Sequence, residues 1–150
     1  MNLNIGKNWP LFVCAVGGLL VVIGSFLPWW KAETPYEIAT KSGIGDNWNG
    51  VFTLILGMLI IATIVISVAK PKLLRIPPSH VVVACSLGVV IIGVMRWIDV
   101  NDNPDVINNI PVAWSIGIGL CLVITGGIWG LVGILCTWMK HEKTTSRRKR

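Results

Sequence analysis

Charged side chains are scarce in this sequence, and their scarcity excludes most water-soluble folds. Lys and Arg number 13 and Asp and Glu number 7, so that only 13% of the 150 residues are charged. In soluble domains the charged fraction is about a quarter. Hydrophobic residues make up 53% of the chain and the mean hydropathy is +0.71. This composition is typical of an integral membrane protein.

Cysteine is absent from every polar segment. All four cysteines lie inside apolar segments, at Cys14, Cys85, Cys121 and Cys136. This distribution excludes an extracellular disulfide framework. Three of them lie near the same end of the predicted spans, where S-acylation or a metal site is an alternative. Their spacing matches no metal-ligand motif, so we interpret them as small hydrophobic residues and predict no metal or cofactor.

The middle of each apolar segment lacks any charged residue. Arg96 is the one basic residue inside a predicted span, and it lies one residue before the end, where it can pair with Asp99. Proton- or ion-coupled transporters normally place an ionisable group near the middle of the bilayer. The sequence therefore argues against a stand-alone coupled transporter and leaves open a pore lined by backbone or by an oligomer. Because no constellation of catalytic residues is visible, we predict that the protein is not an enzyme.

Long apolar segments are abundant in the sequence. Four of them are close to the ~20 residues that cross a bilayer, at residues 11–30, 51–69, 80–97 and 113–139. They occupy most of the chain and leave no room for a soluble domain. We predict an all-α fold: one membrane domain over residues 1–150, built as a four-helix bundle, with a basic tail at residues 140–150.

The basic residues are concentrated in three segments that fall on one side of a four-span protein. Ten of the 13 lie there, at Lys7, Lys70, Lys72, Arg75, Lys140, Lys143, Arg147, Arg148, Lys149 and Arg150, and these segments hold one acid, Glu142. The positive-inside rule then predicts that both termini are cytoplasmic. Arg147, Arg148, Lys149 and Arg150 are candidates for contact with anionic lipid, at about 1 kcal/mol per basic residue. A purely topological role or an acidic partner are the alternatives; nucleic acid is not expected.

Small residues form a strip along the last span. At ~100° per residue, the members fall within about 60° of one another: Ser115, Gly119, Gly126, Gly130, Gly133 and Thr137. Such a strip lets another helix backbone approach closely. The partner is either a neighbouring helix of the same bundle or another subunit.

Seven of the eight tryptophans lie at the ends of predicted spans. We predict that they anchor the helices at the membrane interfaces, at Trp9, Trp29, Trp30, Trp48, Trp97, Trp114 and Trp138. Trp129 lies in the middle of the last span, where packing in the core is the expected role and contact with a pigment or quinone, or with lipid, are the alternatives.

Alternating oxygen-bearing side chains in the third connection are candidate calcium ligands, namely Asp99, Asn101, Asn103 and Asp105. Residues 99–104 resemble the calcium-binding linker motif of cadherins. The loop does not fit an EF-hand, because Pro104 stands where that loop needs Gly and Ile110 stands where it needs Glu. We favour a solvated turn and keep calcium as the alternative.

One short pattern resembles a group of known proteins. Gly24-Ser-Phe-Leu-Pro-Trp29, then Asn49-Gly50 and a Leu-rich run to Gly57, is similar to a pattern in small four-span membrane proteins of bacteria and archaea, most of them uncharacterised. The resemblance implies a multi-pass protein in the cell membrane of a prokaryote, and it implies no activity. Claudins and tetraspanins share the span count, but their outer-loop cysteines have no counterpart here.

The sequence therefore predicts a non-catalytic integral membrane protein. Its expected role is an accessory or structural subunit that packs in a larger membrane complex, with the lipid bilayer, other membrane subunits or further copies of itself as partners. A small-solute pore or transporter component is the alternative, and a membrane enzyme or redox carrier has the least support.

Overall fold

A computed structural model of the chain describes five segments, residues 5–46, 48–69, 77–102, 106–107 and 110–148. The described part is mostly helical. Its helices, in chain order, are α1 Ile5–Phe26, α2 Gly43–Asp46, α3 Trp48–Ala69, α4 Pro78–Asn101 and α5 Ile118–Arg148.

Four of these helices are long and apolar enough to cross a membrane. The qualifying segments are Trp9–Phe26, Trp48–Ala69, Pro78–Asn101 and Ile118–Met139, with mean hydropathies of 2.1 to 2.8. The predicted number of spans and the helical bundle are thus confirmed, and the chain is a multi-pass membrane protein by length and composition.

The long helices pack as a ring. Helix α1 packs between α3 and α5, and α4 packs between the same two helices on the opposite side. Successive helices run in opposite directions, so α1 begins and α5 ends at one end of the bundle. We call this the termini end, and we call the opposite end, where the strands lie, the sheet end.

The sheet end contains β-strands. The predicted all-α fold class is therefore corrected to a helical bundle with a small β-sheet. The strands are β1 Pro28–Glu33, β2 Ile38–Ser42, β3 Val106–Ile107, β4 Ile110–Pro111 and β5 Ala113–Ile116. Strand β1 pairs in antiparallel fashion with β2 on one side and β5 on the other, and β3 pairs with β4 in a separate two-stranded ribbon. The sheet therefore joins the connection after α1 to the segment before α5.

Two helix boundaries differ from the predicted spans for physical reasons. Helix α1 ends at Phe26 because Pro28, the first residue of β1, has no N–H for a further helical turn. Helix α5 begins at Ile118, and residues 113–116 form β5 instead of a first helical turn. The N–H of Gly117 donates to the carbonyl of Trp29 at 2.8 Å, which fixes the end of the strand.

The buried core is divided into two clusters along the bundle axis. The cluster in the termini half consists of Cys14, Ile60, Ile64, Val82, Cys85 and Ile134. The cluster in the sheet half consists of Val21, Trp29, Val89, Leu120 and Val123, all of them completely buried. Side chains from all four long helices contribute, so each helix turns one face inward and leaves the other for lipid.

Candidate functional site

Among the four long helices, α1 and α5 make close backbone contact where glycines face each other. A Cβ placed on Gly126 would lie 2.6 Å from the carbonyl oxygen of Gly17, and one placed on Gly17 would lie 2.7 Å from the carbonyl oxygen of Gly126. Gly24 and Gly119 form an equivalent pair at 2.7 Å in both directions. Only glycine fits at this distance, and the two backbones gain dispersion and Cα–H···O contacts.

The predicted strip of small residues is largely used inside the bundle. Gly119, Gly126 and Gly133 face α1, and Gly130 lies against both α1 and Ser86 of α4. Thr137 lies on the same helix, and its hydroxyl donates to the carbonyl of Gly133 at 2.9 Å.

Ser115 does not belong to this helical strip. It lies in β5 opposite Lys31, because the segment before Gly117 pairs with β1 and is extended rather than helical. A helical phase of ~100° per residue therefore does not apply to it.

Buried polar groups of the helices are mostly hydroxyls bonded to nearby backbone. Ser25 donates to the carbonyl of Val21 at 2.9 Å, and its oxygen lies 3.0 Å from that of Thr53. Cys14 Sγ lies 3.5 Å from the carbonyl of Gly130, to which it donates. Ser86 Oγ is buried and makes no hydrogen bond within the described part of the chain. These side chains contribute to the packing between helices. None of these hydroxyls is seen beside an acid–base partner.

Trp29 closes the sheet end of the bundle, which corrects its assignment as an interfacial anchor. Its side chain is completely buried, and its indole N–H donates to the carbonyl of Gly24 at 3.0 Å. Gly43 of α2 lies directly on the indole ring, and the N–H of Gly43 donates to the carbonyl of Leu27 at 3.2 Å. The carbonyl of Trp29 accepts from Gly117, so its backbone and side chain are both fixed.

The other tryptophans divide between helix ends, the sheet and the lipid face. Four lie exposed near the ends of the apolar parts of the long helices, namely Trp9, Trp48, Trp97 and Trp138. Trp30 and Trp114 are half-buried on neighbouring strands with ring centroids 5.4 Å apart, and Lys41 Nζ lies 6.0 Å from the Trp30 ring. Trp129 is 46% exposed on the outer face of α5, so the predicted core role is wrong. The inner face of α5 at this level is formed by Gly126, Gly130 and Gly133, which leave Trp129 outside.

The candidate calcium residues are only partly described. Helix α4 continues to Asn101, so Asp99 and Asn101 lie on its last turn rather than in a loop. Asp99 forms an ion pair with Arg96, as the i, i+3 spacing predicted. Asn103 and Asp105 lie outside the described residues. Among the described residues no group of three or more potential metal ligands is found.

The basic tail begins as a continuation of α5. The helix runs to Arg148, and it therefore includes the backbone of Arg147 and Arg148, while Lys149 and Arg150 lie outside the described residues. Helix α5 is 31 residues long, of which Ile118–Met139 form the apolar part. The polar end of the helix thus extends about two turns past the apolar part.

A partly enclosed cavity of about 250 Å³ lies at the termini end, between all four long helices. Its walls are mostly apolar and come from α1, α3, the start of α4 and α5: Leu11, Cys14, Ile64, Ser67, Pro77, Pro78, Ser79, Val82, Ile134, Thr137 and Trp138. We call it the termini-end cavity. No pattern within one span predicts this cavity, and its only sign in the sequence is that Ser67, Ser79 and Thr137 all fall near the same end of their spans.

Two of the three hydroxyl groups in this cavity donate to backbone of their own helices. Ser67 donates to the carbonyl of Thr63 at 2.6 Å, and Thr137 donates to that of Gly133. The hydrogens of these two hydroxyls are therefore used, and the walls present hydroxyl oxygens together with aliphatic and indole surface. The cavity is suited to an apolar occupant more than to a strongly hydrated one.

The N-terminus of α4 forms one wall of the same cavity. Pro77 is the N-cap and provides no side-chain hydrogen bond, and Pro78 has no N–H to donate. The N–H of His80 turns back to the carbonyl of Pro77 at 3.1 Å, and Ser79 Oγ lies 3.4 Å from Nδ1 of His80. The positive end of the helix dipole is thus placed at the cavity without an acidic cap.

Comparison with models of known protein families found no match, and no curated protein matches the chain. The residues that carry the resemblance to small four-span prokaryotic proteins nevertheless have definite places in this fold. Gly24 accepts the hydrogen bond of Trp29, and Gly50 packs against the backbone of Gly43. The pattern is therefore explained by how the sheet end is closed, and the membership itself stays a prediction.

Proposed function

We propose that this protein is a non-catalytic membrane protein that acts as an accessory or structural subunit within a larger membrane assembly. The main support is the contrast between its interior and its sheet end. The interior is filled by glycine contacts and completely buried apolar side chains. The sheet end, in contrast, presents an exposed strand edge with Ile38 on it and Tyr36 in the adjoining turn, and this surface is suited to a partner protein.

The exposed edge is formed by the β1–β2 hairpin. Strand β2 is the outer strand of the order β2-β1-β5, and its residues are exposed up to Ser42, which is half-buried. Ile38 is 65% exposed and Tyr36, in the turn before it, is 87% exposed. Free strand edges with apolar residues invite the addition of another strand. We propose that a partner chain or a second copy covers this edge.

A pore along the axis of a single copy receives less support. Val21, Val89, Leu120 and Val123 are completely buried in the sheet half of the bundle, and Trp29 lies in the same cluster. Solute could pass only if this layer of apolar side chains moved apart. The small-solute alternative therefore requires an assembly in which several copies surround a path.

Site-specific photocrosslinking at the hairpin tests the proposal. We would replace Tyr36 with p-benzoylphenylalanine in the full chain, irradiate native membranes, and identify adducts by mass spectrometry. We expect one discrete adduct with a defined polypeptide, either a different membrane subunit or a second copy.

Phe52 provides the matched control, because it is 53% exposed but lies on the apolar face of α3. The same replacement at position 52 is expected to give lipid adducts and no discrete polypeptide adduct. A protein that is monomeric in mild detergent and gives no adduct from position 36 would contradict the proposal.

A further inference from the structure

We propose that the termini-end cavity binds one acyl chain of an anionic phospholipid, with the headgroup beside the basic segments at this end of the bundle. This inference does not depend on the proposed docking of a partner at the sheet end. It rests on the lining of the cavity, its depth in the bundle, and the charge around it.

The size and lining of the cavity suit a hydrocarbon chain. At about 250 Å³ it is larger than an apolar cavity of ~150 Å³, which is sufficient for benzene. Leu11, Ile64, Val82 and Ile134 provide aliphatic surface. Because Ser67 and Thr137 already donate their hydroxyl hydrogens to backbone, water inside would find few strong partners, whereas methylene groups would be removed from contact with water.

The cavity lies at the level where phospholipid chains meet their headgroups. Ser67 is two residues before the end of α3, and Trp138 is one residue before the end of the apolar part of α5. Trp138 is 48% exposed at this wall, which is typical of indoles near the headgroups. The molecules present at high concentration at this depth are the lipids themselves.

The charge around the cavity favours an anionic headgroup. The first turn of α4 forms one wall and contains no acidic residue, so the positive end of its helix dipole also favours an anion. His80 is exposed on this same turn. In the sequence, Lys140 follows Trp138 by two residues, and Glu142 is the single acid among ten basic residues in the segments at this end. A phosphatidylglycerol headgroup therefore fits better than a zwitterionic one.

Lipid binding to the full-length protein tests the proposal. Native mass spectrometry in mild detergent would compare phosphatidylglycerol with phosphatidylcholine carrying the same palmitoyl and oleoyl chains. We expect one tightly bound phosphatidylglycerol per chain, with a dissociation constant at least about tenfold lower than that of phosphatidylcholine.

A matched pair of variants distinguishes lipid binding in the cavity from a general affinity of the protein surface for lipid. Ser67→Phe fills the cavity from α3, whereas Val68→Phe adds the same ring one residue later, at a position that is 41% exposed and does not line the cavity. We expect Ser67→Phe to raise the dissociation constant for phosphatidylglycerol by at least about tenfold and Val68→Phe to leave it within about twofold. If Ser67→Phe does not fold, Thr137→Phe fills the same cavity from α5 and should have the same effect.

Two outcomes would overturn the inference. Equal affinity for the two lipids would mean that the charge at the termini end does not select an anionic headgroup. Unchanged binding in both cavity-filling variants would mean that something else occupies the cavity, such as the apolar side chains of the neighbouring connection at residues 70–76. A monomeric protein that still binds one phosphatidylglycerol would support this inference while contradicting the docking proposal.

Discussion

At the scale of single residues, Trp29 shows how a residue type common at membrane interfaces becomes part of the core. Its neighbour Pro28 ends the helix, and the strand that follows turns the indole back over the end of the bundle. The ring then lies beneath Gly43, and its N–H reaches the carbonyl of Gly24, which the helix end leaves without a helical partner. The same side chain thus fills space and satisfies a helix terminus.

We predict that Trp29→Phe destabilises the protein by about 2–3 kcal/mol. Loss of the N–H leaves the carbonyl of Gly24 unpaired in a buried place, which costs about 1–2 kcal/mol, and the smaller ring leaves a gap beside Gly43 that costs more. The measurement is the reversible unfolding of the detergent-solubilised protein, followed by circular dichroism. Trp48→Phe is the control, because Trp48 is 77% exposed, and its effect should stay within about 0.5 kcal/mol. Equal effects of the two substitutions would contradict the assignment of Trp29 to the core.

At the scale of elements, the packing of α1 against α5 depends on glycine more than the packing of α4 against α3 at Gly88 does. We predict that Gly126→Ala costs about 1–3 kcal/mol, because its new Cβ would meet the backbone oxygen of Gly17, which can move only with the whole helix. Gly88→Ala is the matched control on α4. Its new Cβ would meet only the terminal Cδ1 of Leu56, at 3.2 Å, and alanine has the higher helix propensity. Comparative unfolding of the two variants checks this, and a Gly126→Ala protein as stable as Gly88→Ala would show that the helices are not in backbone contact.

Some elements of the fold could be predicted from the sequence and others could not. The spans could be predicted, because ~20 apolar residues without charge are a local signal that does not depend on which helices pack together. Strand β5 could not be predicted, because its four residues, Ala113–Ile116, continue into the apolar segment of α5. A short apolar strand in that position has the same sequence pattern as the start of a helix. Its partner β1 lies about 80 residues earlier, and such a pairing leaves no local pattern. Only Gly117, between the strand and the helix, signals the boundary.

The candidate site illustrates the same limit. The small residues of α5 were found from helical spacing, but the pattern could not distinguish a partner helix in the same chain from one in another subunit. The structure places Gly17 and Gly24 of α1 against them. The termini-end cavity depends on how four helix ends meet, and no spacing within one helix encodes its volume. Hydroxyl residues near the same end of three spans were the one visible sign.

At the scale of the whole molecule, the two ends of the bundle differ in chemistry. The sheet end carries the hairpin with Glu33 and Glu37 and the acidic end of α4, whereas the termini end continues into basic segments. The polar end of α5 is helical to Arg148, so this basic segment begins as a rigid continuation of a span. The positive-inside rule applied to this asymmetry predicts that the termini end faces the cytoplasm and the sheet end faces outward.

Cysteine labelling in intact cells checks this orientation. We predict that Asp102→Cys reacts with a membrane-impermeant maleimide in intact cells, because Asp102 is exposed at the sheet end, just after α4, and is not part of the β1–β2 hairpin that a partner is proposed to cover. Ser146→Cys, on the polar end of α5, should react only after the cells are lysed. The unsubstituted chain is the control: all four of its cysteines lie within the spans, and its labelling gives the background for both variants. Labelling at position 146 but not at position 102 in intact cells would mean the opposite orientation, and the basic segments would then need an explanation other than topology.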